Sequence, residues 1–295
     1  YVFAELIDIE LDTEASDIWG AGQGGVVSID VSDPIHPHFL AAASPLEWFQ
    51  RSYQIHVGPH PAVYASHRDH GFAAYDRTDP TRPSLGSVVE LADASGMISD
   101  GDLLYVTTHT GSLVTYDVSV DPLDPLVGAT LTGLGNPWRM ALGADRIYIA
   151  DNTLGIVIVD RSAPATPALI GHVAAAGGAQ DLTLSSDGGT LFAAVGGPGV
   201  EVFSLDNPDL PLSLGVLDLR HSVISVDVDD DTLWATTQQD VVAIDISTPR
   251  APVVVNSEET TQWAMSVDAH GGKAYVGDWG YLASFAVDTS ITAPD

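Results

Sequence analysis

The chain has 295 residues with 40 acidic and 10 basic side chains, a formal charge of −30, no cysteine and a single lysine, Lys273. Such a surface repels phosphate backbones, whose recognition depends on Lys and Arg, so nucleic acid is not an expected partner; the missing cysteines exclude disulfides, thiolate metal sites and thiol nucleophiles. With 45% hydrophobic and 17% charged residues there is ample material for a core, and no run approaches the about 18 apolar residues of a membrane span, so no membrane insertion is expected.

One pattern recurs along the chain: GGVVSIDVSDPIHP at 24–37, GFAAYDRTDPTRP at 71–83, GSLVTYDVSVDPLDP at 111–125, GIVIVDRSAPATP at 155–167, GVEVFSLDNPDLP at 199–211 and DVVAIDISTPRAP at 240–252. Its marker residue is Asp30, Asp76, Asp117, Asp160, Ser204 and Asp245 in turn, and a seventh, degenerate copy, YLASFAVD at 281–288, puts Ala286 there. A period of about forty residues is that of a four-stranded propeller blade. In the fourth copy, WRMAL (138–142) reads as the inner strand, RIYIA (146–150) as the second, IVIVD (156–160) as the third and PALIGHV (167–173) as the outer one, with two prolines three apart ending the third.

These repeats predict an all-β fold: one seven-bladed β-propeller domain over 1–295, with blades at about 7–46, 47–91, 92–132, 133–175, 176–219, 220–259 and 260–295. IDIELD (7–12) fills the inner place of blade one, so YVFAEL (1–6) is expected to supply the outer strand of blade seven and close the ring, removing free edges. Beginning at Tyr1 without a methionine or an apolar leader, the sequence reads as a processed or trimmed chain.

The IVIVD string at 156–160 with its Pro-x-x-Pro turn resembles the LVIVD-repeat family of β-propellers, and the likeness runs over essentially the whole chain, although blade five has Ser204 at the marker and blade seven lacks the proline pair. The resemblance implies an exported or cell-surface protein of a bacterium or archaeon, often a module of a larger surface protein, and implies no particular reaction.

In an up-and-down blade the loops joining strands two and three emerge on the same face as the loops joining successive blades. The opposite face carries Asp/Gly/Pro turns, such as Asp100-Gly101-Asp102 and Asp187-Gly188-Gly189, and hairpin geometry accounts for them. DVDDD at 227–231 lacks the Gly and Glu of an EF-hand loop and is expected to be a solvated turn of the same kind. The first face gathers Trp48, Phe49, Arg51 and Tyr53, then His67, Arg68, Asp69 and His70, then His109, Trp138, Arg139, Arg220, His221, Trp263 and Trp279. Large aromatics and Arg dominate binding hot spots, so Trp48, Arg51, Tyr53, Arg68, Trp138, Arg139, Arg220, His221, Trp263 and Trp279 are the candidate ligand-binding residues.

His67, His70 and His109 are the candidate ligands of a divalent metal, the one cofactor considered. The His56 and His60 pair is too widely spaced along an extended chain to share a metal. No Gly-x-Ser-x-Gly elbow or phosphate loop is present, and no catalytic residue is assigned. The expected function is a non-catalytic, extracellular binding module that engages a protein or glycan at a cell surface, an acidic polysaccharide being one case. The alternatives are a metal-dependent hydrolase or lactonase at the channel mouth, for which Asp151, Asn152 and Asp181 offer themselves by fold analogy, and a self-assembling structural block.

Overall fold

The repeat is an alternation of buried apolar residues broken at regular turns, and it folds accordingly. The computed structural model describes residues 5–44, 51–67 and 70–286. They form 27 strands in seven antiparallel sheets, six of four strands and one of three. The sheets run Asp8–Ala43, Ile55–Val89, Ala94–Thr132, Pro137–Val173, Asp181–Leu217, Val223–Glu259 and Ala264–Ala286, each ordered as in the chain. The chain is therefore a seven-bladed β-propeller, with the first strand of each blade packed against the first strands of its neighbours around a central channel.

The core is divided among the seams. Seven clusters of buried apolar side chains lie one between each pair of neighbouring blades; Ile156 and Ile158 of blade four, for example, pack on Leu182, Leu191 and Phe203 of blade five. The cluster between blades seven and one joins Tyr275 to Leu6, Ile9, Ile18 and Ile29. Removal of such branched and aromatic surface from water at both faces of every sheet is the main force holding the disc together.

The proline turns contribute more than strand ending. Tyr64, Tyr105 and Tyr148 donate their hydroxyls to the carbonyls of Pro122, Pro164 and Pro208, each the first proline of the next blade's turn, at 2.8, 3.1 and 3.2 Å. Ser28 donates likewise to Pro80, and Ser284 of blade seven to Pro34 of blade one at 2.7 Å, so this tie also crosses the closing seam. The marker Asp folds the turn itself: Asp30, Asp76, Asp117, Asp160 and Asp245 each accept the amide N–H two residues on, holding their carboxyls below the usual range. In blade five Ser204 Oγ accepts the Asp206 N–H in the same way, which explains why Ser serves at that position.

The expected closing strand 1–6 falls largely on residues 1–4, outside the described residues. Glu5 and Leu6 are buried at the junction. Leu6 N–H donates to the Trp279 carbonyl of blade seven, Ile7 N–H to the Ala21 carbonyl of blade one at 2.8 Å, and Glu5 pairs with Arg51 at the entry to blade two.

Candidate binding face and channel

The loops between strands two and three and the loops between blades meet on one face, as the strand order requires. Thr260 N–H donates to the Gln239 carbonyl, and the Asn136 side chain to the His109 carbonyl. The anchor in two blades is an Asp ending the second strand. Asp151 accepts from the N–H groups of Gly135, Asn136, Thr153 and Leu154, and Asp278 from those of Thr261 and Gln262. Burial pushes the Asp151 carboxyl up, but its amide donors outweigh this and hold it below its usual value. Both oxygens of Asp151 are committed to loop backbone, so it has the role of a loop anchor.

The sequence-predicted face separates into parts. Trp48 and Arg68, with their neighbours Phe49 and Asp69, lie outside the described residues. Around the junction of blades seven, one and two, four candidates come together. The Trp263 and Trp279 rings meet edge-on, their centroids 5.6 Å apart and their planes at 73°. The Arg51 guanidinium lies 5.9 Å from the Trp279 ring centre and 5.8 Å from that of Tyr53. Trp263 is 55% exposed, although it is one of the largest apolar side chains available for burial. Trp279 adopts a left-handed backbone, φ 48°, in the turn between Lys273–Asp278 and Tyr281–Ala286. That conformation suits glycine and costs a bulky L-residue about 1 kcal/mol.

The other candidates sit elsewhere. Trp138 is half-buried, its Nε1–H bonded to Asn136 Oδ1 at 2.7 Å and its ring 4.9 Å from that of His109. Arg220 and His221 are exposed between blades five and six, His221 lying 3.8 Å from Asp240. Arg139 leaves the face altogether: it turns into the channel, because successive residues of a strand point opposite ways, and pairs there with Asp8, its Nε lying 3.9 Å from Asp181.

The three histidines have separate surroundings. His67 is buried, with Nδ1 3.3 Å from Ser52 Oγ and Nε2 3.4 Å from the Tyr75 hydroxyl, and burial pushes it down to about 4. His70 is exposed, and His109 packs on Trp138. Among the described residues no group of three His, Cys, Asp or Glu side chains is arranged to hold a metal ion.

The channel holds a constellation that the sequence reading did not isolate. A cavity of about 480 Å³ is lined by Asp8, Glu10, Asp181, Asp227 and Asp268 together with Arg139 and His56. Each Asp fastens a seam by accepting an N–H from the next blade's inner strand. Asp8 takes Ile55 N–H at 2.9 Å, Asp181 takes Val226 N–H at 3.0 Å, Asp227 takes Ala269 N–H at 2.8 Å, and Asp268 takes Leu11 N–H at 2.7 Å across the closing seam. Asp227 is thus a channel residue on strand Val223–Asp229, and the expected turn shrinks to Asp230 and Asp231. Burial, with added repulsion from Asp181 and Glu10, raises Asp227 to about 7 against the pull of its amide donors. Burial and the charges of Asp227 and Glu10 raise Asp268 well above the usual carboxylate value. His56 bridges Glu10 at 3.1 Å and Ser99 Oγ at 2.8 Å.

Comparison with known proteins agrees with the repeat and the ring. The LVIVD repeat family model matches residues 135–175, the fourth blade. That segment is similar to the LVIVD repeat. No curated protein sequence matches the chain. Among solved structures the chain is similar to U3-55K, with a TM-score of 0.73 and 12% identity over 93% of this chain and 88% of that one. It is also similar to the WD40 repeats of RRP9, at 0.72 and 11% over 93% and 87%. A candidate 6-phosphogluconolactonase of Bacteroides fragilis gives 0.72 and 12% over 90% and 89%. At these identities the likeness is one of fold.

Proposed function

We propose that the protein is a non-catalytic binding module that engages a macromolecular partner, foremost a protein, through the corner formed by Trp263, Trp279, Arg51 and Tyr53. The observation that carries this reading is a mostly exposed Trp263 packed edge-on against a Trp279 held in a glycine-like conformation. Exposed tryptophan surface is costly in water, and strained backbone persists where the surroundings enforce it, commonly at functional positions. Nearby aromatic and Arg side chains are the composition of binding hot spots. An extracellular or cell-surface setting, as the family resemblance implies, is part of the proposal.

An enzymatic reading draws less support. Asp151 is committed to loop amides, and the channel carboxylates accept amide protons that tie blade to blade.

The test is affinity capture of surface proteins, in parallel with a glycan array, using the wild-type chain, Trp263→Ala and the control Arg220→Ala. Ligands held by the wild type and by Arg220→Ala are expected to be lost with Trp263→Ala. Equal retention by all three proteins would refute this corner as the binding site.

A further inference from the structure

Resting on that reading of the corner, we infer that the partner is a basic protein segment that presents Lys or Arg side chains to Trp263. The first ground is the state of the cations. Among the described residues Arg51, Arg77, Arg139, Arg146, Arg161 and Arg250 are in ion pairs with carboxylates, Arg220 lies away from the corner between blades five and six, and the one guanidinium at the corner, Arg51, is paired with the buried Glu5. Among the described residues of this corner an anionic ligand would meet no uncommitted cation, and it would approach a chain of formal charge −30.

The second ground is the rim beside Trp263. The outer strand of blade six, Val253–Glu259, runs up to this face and ends in Glu258 and Glu259, both exposed and neither in an ion pair among the described residues. Glu259 stands opposite Asp240 in the strand register, and Thr260, the next residue, opens the loop that carries Trp263. The exposed Glu258 and Glu259 end the strand that leads into the loop carrying the exposed Trp263. That combination attracts a cation twice, through the field of the acids and through the π face of Trp, the ring that binds cations best. A neutral sugar ring would use the indole and could donate hydroxyls to the carboxylates, but it would gain nothing from the field of a chain of formal charge −30.

Tryptophan fluorescence titration of the intact chain tests this with four probes: a short Lys/Arg peptide, its Gln counterpart, its Glu counterpart and a neutral oligosaccharide. The Lys/Arg peptide is expected to bind at least about tenfold tighter than the Gln peptide and to weaken as salt screens the acids. Trp263→Ala should reduce its affinity about tenfold or more, and the double variant Glu258→Gln/Glu259→Gln several-fold. Circular dichroism confirms that each variant folds.

If the Gln peptide or the oligosaccharide binds as well as the Lys/Arg peptide and loses affinity in Trp263→Ala, the corner is a binding site but the basic partner is overturned. Undiminished binding of the Lys/Arg peptide to Trp263→Ala would mean diffuse attraction to the acidic surface, and the inference falls. Absence of binding by all four probes, with capture still dependent on Trp263, overturns the basic partner and leaves the binding module standing.

Discussion

Replacing Arg139 by Met separates a channel role from a binding role. The guanidinium neutralises Asp8, whose side chain is 1% exposed, and faces Asp181 at 3.9 Å. Removing one partner of a fully buried ion pair costs about 3–5 kcal/mol, because the other charge is left without compensation. The Arg139 side chain is 27% exposed, so solvent screening brings the expected loss to about 2–3 kcal/mol. At about 2 °C per kcal/mol for a chain of this size, the melting temperature should fall by about 4–6 °C near pH 8. Burial already raises the Asp8 carboxyl against the pull of Arg139. Without the guanidinium Asp8 takes up a proton more readily, and the difference between variant and wild type should shrink as pH falls toward 5. Differential scanning fluorimetry at pH 5 and 8 measures both effects. A variant as stable as wild type at pH 8, or a loss independent of pH, would refute the channel pairing; ligand capture should remain unchanged.

Asp268→Asn should flatten the pH dependence of stability. Burial and the neighbouring charges raise the folded carboxyl of Asp268 well above its unfolded value of about 4, so the native state holds a proton that the unfolded chain has released and wild-type stability falls as pH rises above about 4. Denaturant titrations at pH 5, 7 and 9 check this, and an unchanged slope counts against it. Trp279→Gly should relieve the left-handed backbone, leave stability within about 1 kcal/mol of wild type, and still lose ligand capture; a large loss of stability would mean that the indole serves the fold. Tyr148→Phe should cost about 1 kcal/mol in thermal unfolding by deleting the bond to the Pro208 carbonyl, and no loss would show that this tie is dispensable.

How much of this was legible depends on what a residue's pattern constrains. The third strand GIVIVD of blade four buries its apolar residues against both neighbouring sheets, and its shortness, its β-branched residues and the Gly and Pro that bound it mark such a run as strand rather than helix. The period, the strand order and the segregation of loops to two faces follow from that. The proline turns were legible as turns but not as acceptors, because the donor tyrosine lies about sixty residues away and only the ring brings it near. Trp138 and Arg139 are adjacent in sequence and were read together, yet a strand sends one toward His109 and the other into the channel. Asp227 was concealed by its neighbours: in DVDDD, with 40 acids in the chain, nothing local distinguishes the carboxylate that fastens a seam from those that face solvent.

The channel and the corner divide two tasks that sequence composition mixes. At the channel, carboxylates from blades one, five, six and seven trade repulsion for inter-blade hydrogen bonds, and the cost of crowding is relieved by Arg139, by His56 and by retained protons. Those bonds fix the inner strands, and with them the loops anchored by Asp151 and Asp278. A rigid rim allows Trp279 to keep a conformation that its own backbone disfavours and Trp263 to remain outside the core, so side chains that add little to the fold are held where a partner would reach them. Sites at which local preference is overruled in this way are where function is expected in an otherwise consistent repeat. Blade seven, the copy with the weakest repeat signature, carries both of these tryptophans.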